Sequence, residues 1–541
     1  MADFGEILRN IGEFGLFQKT ILFALCFPNL ILPFHFASVI FTQSDPERHC
    51  NTDWVLGAAP NLTTEEQLNL TVPREEDGSF SRCRMFVPVD WDIQDIREFG
   101  LNETTGCRDG WVYGSMLYES TIFDLVCDQA HLLGIAQTVL MAGILAGCLL
   151  LGPFAESFGR KRAAQIPVVL MLLFSVTTGL CPTYPLYLAS QFVAGIGYGV
   201  FICFVPLGTE WIGVSKRSWG ACITQLCGAV GQAILGGMIY FIRDWRLAQL
   251  VTAAPFTVIA FYIWFIPESA RWLLDRGRTD EAKELIIKVA AINKRKVSDS
   301  LLEKVCLSGG IICLIKSPVL RKYFLTIILA WFSLTVTYFC LSLNVGNFGL
   351  DIFLTQALFG LSEVPAHIIC IWLLEAVGRK ASLITTLVIG GFLCNAIAVT
   401  SLAIGGRFLT NWAGSICNLY VQELFPTSFR QTASGLGSIA SRVGGLLSPP
   451  LSMLAVYRWS IPVAVYSSLT ILSGALCFLL PETRRTELPD STRQIKLHIN
   501  MLFLHTRTDM YVYIISVLFS SSELLFESTH THLHTLADSL F

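Results

Sequence analysis

Of the 541 residues, 53% are hydrophobic and only 15% are Asp, Glu, Lys or Arg; soluble domains carry about 25% charged residues. The 38 basic and 41 acidic side chains leave a net charge of −3, which supplies no field for a nucleic-acid partner. A soluble protein, a nucleic-acid binder and a secreted disulfide scaffold are excluded, and a chain embedded in a lipid bilayer is what remains.

Residues 1–19 contain Asp3, Glu6 and Glu13 but no basic start followed by a small-residue cleavage site, so the first apolar stretch is expected to be retained. Stretches of about 20 apolar residues match a hydrocarbon core of about 30 Å. Twelve occur, at roughly 20–42, 132–152, 164–182, 184–208, 219–242, 247–266, 323–344, 351–374, 382–403, 404–422, 432–456 and 460–480. Spans nine and ten are compressed, and Gly405-Gly406 is read as nearly all of the loop between them.

The loop 43–131 holds the three sequons Asn61, Asn69 and Asn102, and also Cys50, Cys83, Cys107 and Cys127. An even number of cysteines predicts two disulfides, with three pairings open. The short loops with Arg160, Lys161, Arg162, Lys216, Arg217, Arg379, Lys380, Arg484 and Arg485 all fall on the opposite side. The positive-inside rule makes that side cytoplasmic, with both termini on it, and the glycosylated loop extracellular. The loop 267–322 is then cytoplasmic, and its run Asp280–Ala291, with Ile286, Ile287 and Val289 among charges, reads as an amphipathic helix on the membrane surface or under the bundle. Residues 481–541 form a cytoplasmic tail, in which His530, His532 and His534 lack the Cys or acidic ligands that would argue for a metal.

The first half recurs inside the second. Glu156 and Glu375 end spans two and eight ahead of Gly-Arg-Lys, at Arg160 and Arg379. Glu210 is followed seven residues on by Arg217, as Glu423 is by Arg430, and Pro267-Glu268-Ser269 answers Pro481-Glu482-Thr483. These offsets of 219, 213 and 214 residues define two six-helix halves, 20–266 and 323–480, in a parallel repeat with substrate expected near mid-membrane between them. The repeated residues, with Arg271, read as a cytoplasmic gate that pairs across helices; the plainer reading makes them interfacial anchors.

Gly152-Pro-Phe-Ala-Glu-Ser-Phe-Gly-Arg-Lys-Arg162, Arg243-Asp-Trp-Arg246, Pro267-Glu-Ser-Ala-Arg-Trp-Leu-Leu274 and Glu423-Leu-Phe-Pro-Thr427 resemble the organic cation and organic anion transporter family, solute carrier family 22, of the major facilitator superfamily. The resemblance covers about residues 1–490 and implies an all-α, twelve-span fold. Val345–Asp351, Glu363-Val-Pro-Ala366 and Ser441-Arg-Val-Gly-Gly445 look most like the organic anion branch that exchanges nicotinate and urate. The chain departs from the family at Gln191, where Arg is usual, and at Gly414, where an aromatic is usual.

Arg442 stands near the middle of span eleven, where a bare guanidinium costs about 2.5 to 3.5 kcal/mol on insertion scales. It either receives a substrate carboxylate in its fork or locks two helices by pairing with Glu363. The resemblance favours the first role, because anion-preferring members are similar in placing Arg there and cation-preferring members place Asp. Glu363 and His367 share a helix face; the Lys or Arg usual in the anion branch at the second position is here a titratable ring, read either as a substrate contact or as a satisfied polar histidine. Arg407, nearer the outer end of span ten, is site or snorkelling anchor. Trp331, Tyr338 and Phe339 resemble the family's aromatic cavity wall.

The reading is a plasma-membrane carrier of small organic anions working by alternating access and exchange, with a counter-anion and the lipid bilayer as its partners. No GxxxxGK[ST] loop argues for ATP driving, and no cofactor or enzymatic constellation is expected. A carrier of cations or zwitterions, and a non-transporting scaffold, are the alternatives.

Overall fold

The computed structural model describes residues 4–42, 48–75, 78–114, 122–199, 211–212, 214–242, 244–295, 318–343, 352–395, 400–425, 427–458 and 460–483. The apolar stretches are helical, as hydrocarbon requires, since each backbone N–H and C=O must be satisfied within its own segment. The first half comprises α1 (Phe4–Ile11), α2 (Leu16–Thr42), α3 (Thr64–Thr71), α4 (Ile93–Phe99), α5 (His131–Phe158), α6 (Arg160–Leu180), α7 (Tyr184–Tyr198), α8 (Val214–Tyr240), α9 (Trp245–Ala253) and α10 (Pro255–Tyr262). Two short helices follow, α11 (Ala270–Asp275) and α12 (Thr279–Ile292). The second half is α13 (Pro318–Leu343), α14 (Ile352–Ala376), α15 (Arg379–Asn395), α16 (Thr400–Leu424), α17 (Thr427–Met453) and α18 (Ser460–Leu476). Among the described residues, six stretches are long and apolar enough by themselves to cross a membrane: Leu16–Phe34, Cys127–Ala155, Arg160–Leu180, Cys222–Tyr240, Arg321–Leu343 and Ser460–Leu479.

Two helix pairs join the halves: α5 packs on α17, and α8 on α14. Glycines set how closely the second pair approaches. A Cβ on Gly360 would lie 2.6 Å from the backbone nitrogen of Ala233, and one on Gly236 would lie 3.1 Å from the carbonyl oxygen of Phe353.

Three sequence expectations change. Gly405 and Gly406 are not a loop; they lie inside α16. A Cβ on Gly406 would come within 2.7 Å of the Cys394 sulphur, so these glycines serve the close packing of α15 on α16, and the connection falls at 396–399, outside the described residues. The sixth span is two helices meeting at Ala254, because Pro255 brings no N–H to continue the ladder. In α12 the buried face is Ala282, Ile286, Val289 and Ala290, whereas Ile287 is exposed.

That helix packs against α1, α2 and α11, so it lies under the bundle. Asn293, which follows it, accepts from Phe17 N at 3.0 Å and donates to Ile11 O at 2.9 Å and Gln18 Oε1 at 2.8 Å. One amide thus pins the turn between α1 and α2.

Between α2 and α5 a small domain forms two antiparallel ribbons, β1 (Arg48–Cys50) with β4 (Trp111–Tyr113) and β2 (Arg84–Phe86) with β3 (Thr104–Gly106). The disulfides are Cys50–Cys107 and Cys83–Cys127, one of the three possible pairings. Phe123, at φ +50°, sets its ring against Tyr184, Tyr187 and Trp245. Arg246 stacks on Trp245 and donates to the carbonyls of Gly179 and Cys181 at 3.3 and 2.8 Å, closing the C-terminal end of α6. Asn61, Asn69 and Asn102 are exposed on this domain.

Non-reducing peptide mapping should recover the linked peptides 50–107 and 83–127 and no other pairing. Cys50→Ala and Cys107→Ala should raise protease sensitivity equally, with no further rise in the double variant, since both remove one bond.

Candidate functional site

Polar residues recur on single faces of four helices that meet between the halves. In α16, Arg407, Asn411, Gly414 and Asn418 follow spacings of four, three and four and so share a stripe. Gln356, Glu363 and His367 do the same in α14, Thr335, Tyr338 and Ser342 in α13, and Gln225 and Gln232 in α8.

Arg407 is the centre. It is 1% exposed, and its Nε and Nη2 lie 3.1 Å from Oε1 of Glu363, itself 5% exposed. Nη1 donates to Ser342 Oγ, and Nη2 lies 3.4 Å from Gln232 Oε1. The guanidinium plane rests on the Tyr338 ring at 3.9 Å and on Phe359 at 4.7 Å. Two of the alternatives left open by the sequence are thereby removed. Arg407 does not snorkel, because every donor faces protein, and Glu363 is paired with Arg407 rather than with Arg442.

One turn further along, Asn411 Nδ2 lies 3.4 Å from His367 Nε2, and Ser415 Oγ lies 3.0 Å from Nδ1. Ser415 donates to Gln225 Oε1 at 2.9 Å, which leaves its oxygen to accept from the ring. The tautomer with its proton on Nδ1 fits this chain of bonds. Among the described residues, a Cβ on Gly414 would meet nothing within 4 Å.

Arg442 stands apart from this cluster. Among the described residues its buried Nε has no hydrogen-bond partner, and Cys148 of α5 and Tyr198 of α7 are its electrostatic neighbours. Among the described residues no carboxylate is in ion-pair contact with it. Trp331 and Phe339 pack on α17 to either side: a Cβ on Gly437 would overlap the Trp331 ring, and one on Gly445 would sit 3.0 Å from Phe339. These two rings pack against α17, while Tyr338 joins the charged cluster.

The repeated carboxylates form a second constellation. Glu268 Oε1 accepts from the backbone N–H groups of Arg160 and Lys161 at 2.9 and 3.1 Å, at the start of α6. Glu482 accepts from those of Arg379 and Lys380 at 2.9 and 3.0 Å, at the start of α15. Each carboxylate thus caps a distant helix N-terminus, where the unpaired amides and the helix dipole favour negative charge. The preceding glycines make this possible: Gly159 has φ +103°, and a Cβ there would overlap Glu268 Oε2, while Gly378 has φ +105°, with 2.8 Å to Glu482 Oε2. Arg160 is buried and Arg271 half-buried. Glu210 and the side chains of Glu156, Arg217, Glu375, Glu423 and Arg430 lie outside the described residues, as does the chain from 484 onward.

Gln225, Gln232, Gln356, Ser342, Asn411 and Ser415 were not singled out from the sequence. The signal was present as polar residues repeating at three, four or seven positions in otherwise apolar helices.

Two halves of matched helices thus enclose a buried polar seam, with Arg442 beside it. The family profile described as "Sugar (and other) transporter" matches residues 91–488. The partially occluded inward-open xylose transporter XylE of E. coli superposes with a TM-score of 0.58 at 16% identity, covering 87% of this chain and 99% of that one. Human solute carrier family 22 member 13 is 41% identical over 92% of this chain and 94% of its own length. Xenopus laevis solute carrier family 22 member 6-A is 30% identical over 92% and 94%, and rabbit (Oryctolagus cuniculus) organic anion transporter 3 is 32% identical over 91% and 93%. The chain belongs to solute carrier family 22, a family of transporters rather than enzymes.

Removing one partner of a buried ion pair leaves an uncompensated charge and costs about 3–5 kcal/mol. Arg407→Met and Glu363→Gln should each lower the melting temperature of the solubilised protein, and the double variant should recover most of the loss. Additive losses in the double variant would show that the two side chains do not act as a pair.

Proposed function

We propose that the chain carries small organic anions across the plasma membrane by alternating access, as an exchanger. One observation carries this reading: among the described residues Glu363 neutralises Arg407, while Arg442 has no carboxylate in ion-pair contact and keeps a buried Nε without a hydrogen-bond partner. A guanidinium in a low-dielectric setting gains most from a ligand that brings a carboxylate to its fork. The resemblance of Glu363–Ala366 and Ser441–Gly445 to the nicotinate- and urate-exchanging branch narrows the substrates to compounds of that size. Open space beside Gly414 and the neighbouring Asn411, Ser415 and His367 offer room and neutral hydrogen-bonding groups for a heterocycle. Glu268, Glu482 and the glycines they contact, repeated in both halves, would hold the bundle at its cytoplasmic face, with the domain of 43–131 outside the cell.

Uptake of radiolabelled nicotinate and urate, in cells confirmed to display the protein, tests the function. Arg442→Ala should abolish uptake while surface display survives; Arg442→Lys, which keeps the charge without the fork, should retain a small fraction of it. Uptake of a quaternary amine with no uptake of either anion would refute the reading, and so would full activity in Arg442→Ala.

The placement of the small domain has its own test. Glycosidase should lower the apparent mass of the surface protein, and replacing Asn61, Asn69 and Asn102 together by Gln should remove the shift.

A further inference from the structure

The two halves touch through polar groups as well as packing, and α8 carries a row of these contacts. Gln225 and Gln232 stand seven residues apart on the face of α8 that meets the second half. Gln225 accepts from Ser415, the hydroxyl bonded to His367. Gln232 is buried and makes three contacts across the seam: Nε2 donates to Gln356 Oε1 at 3.1 Å, while Oε1 faces Arg407 Nη2 and the Tyr338 hydroxyl, each at 3.4 Å. The first half therefore reads both polar clusters of the second through two neutral amides.

These contacts lie in a seam closed on one side. Gly236 against Phe353 and Ala357, Gly360 against Ala229 and Ala233, and the Tyr240 ring 5.7 Å from that of Phe353 all fall toward the end of α8 at residue 240. In the other pair, Gly134 lies against Met453, and the Met141 sulphur would lie 3.6 Å from a Cβ on Gly445, both toward the start of α5 at residue 131. That is the side bearing the disulfide-linked domain.

We propose that Gln225 and Gln232 form a latch between the halves, and that Gln232 couples closure of the domain-bearing side to the Arg407–Glu363 pair; the proposal rests on the reading of the chain as an alternating-access carrier. Both charged partners belong to the second half, so the ion pair survives when the halves part, but Gln232 must leave Gln356, Arg407 and Tyr338 together. Opening costs these bonds and turns one guanidinium N–H toward the space that opens. A carboxylate at the same position would hold too firmly, because it would make the Arg407 contact an ion pair in place of a bond to a neutral amide. Gln232 is on this account a positioning residue that sets the ratio of the two access states.

The test is the alkylation rate of the thiol introduced by Met141→Cys, read at peptide level in full-length protein in membrane fragments open on both faces. Met141 is buried in the closed seam, so its rate follows the population open on that side. Gln232→Leu should raise the rate about five-fold, the factor for losing a net hydrogen bond, and Gln232→Glu should lower it. Gln356→Leu should also raise it, and Gln232→Leu with Gln356→Leu should exceed neither single variant by the product of the two effects, since they share a bond. Should Gln232→Leu fail to reach the membrane, Tyr338→Phe carries the test with a smaller rise. Unchanged rates in Gln232→Leu and Gln232→Glu, or in Tyr338→Phe where that variant is used, overturn the latch, as do fully multiplicative effects in the double variant. The measurement needs no substrate: shifted labelling without nicotinate or urate uptake would count against the transport reading alone, and unshifted labelling with intact uptake against the latch alone.

Discussion

A guanidinium and a carboxylate 3.1 Å apart, almost wholly removed from solvent, organise the centre of this bundle. Neither charge could stay there alone, so each helix of the pair, α14 and α16, is fixed in rotation by the need to aim one side chain at the other. The surrounding groups follow from that constraint. Ser342 and Gln232 take the donors that one carboxylate leaves over, and Tyr338 and Phe359 cover the planar faces of the cation.

A similar economy governs the helix ends. A carboxylate that caps a helix far away in sequence ties three segments at one point, and it does so without a long side chain having to find a partner. The matching pairs Gly159–Glu268 and Gly378–Glu482 show the same backbone conformation and the same acceptor geometry in both halves. The sequence repeat is thus the trace of a repeated backbone requirement: glycine where φ is positive and where no Cβ fits, and glutamate long enough to reach two amides.

The fold was legible because hydrocarbon thickness, loop charges and a recurring spacing are each properties of the sequence. The loop 43–131 announced its cysteines but not their pairing, which depends on the ribbons β1–β4 and β2–β3. Rotation about a helix axis was harder to read. Span boundaries locate Arg407 along its helix but do not say whether the side chain points toward lipid, headgroup or partner, and the partner was on another helix 44 residues away. Gly405-Gly406 misled for a related reason: glycine signals a turn in water, but between packed membrane helices it signals proximity. Single glutamines escaped notice because an uncharged amide stands out little from its apolar neighbours until two are seen to share a face.

The small domain is fastened to the first half at several points. Cys127 and its disulfide stand four residues ahead of α5, Phe123 is seated among rings of α7 and α9, and Arg246 holds the adjoining end of α6. It is therefore fastened as a handle on the first half. An antibody fragment that recognised this domain together with an edge of the second half would read the angle between the two halves without touching the bundle's interior.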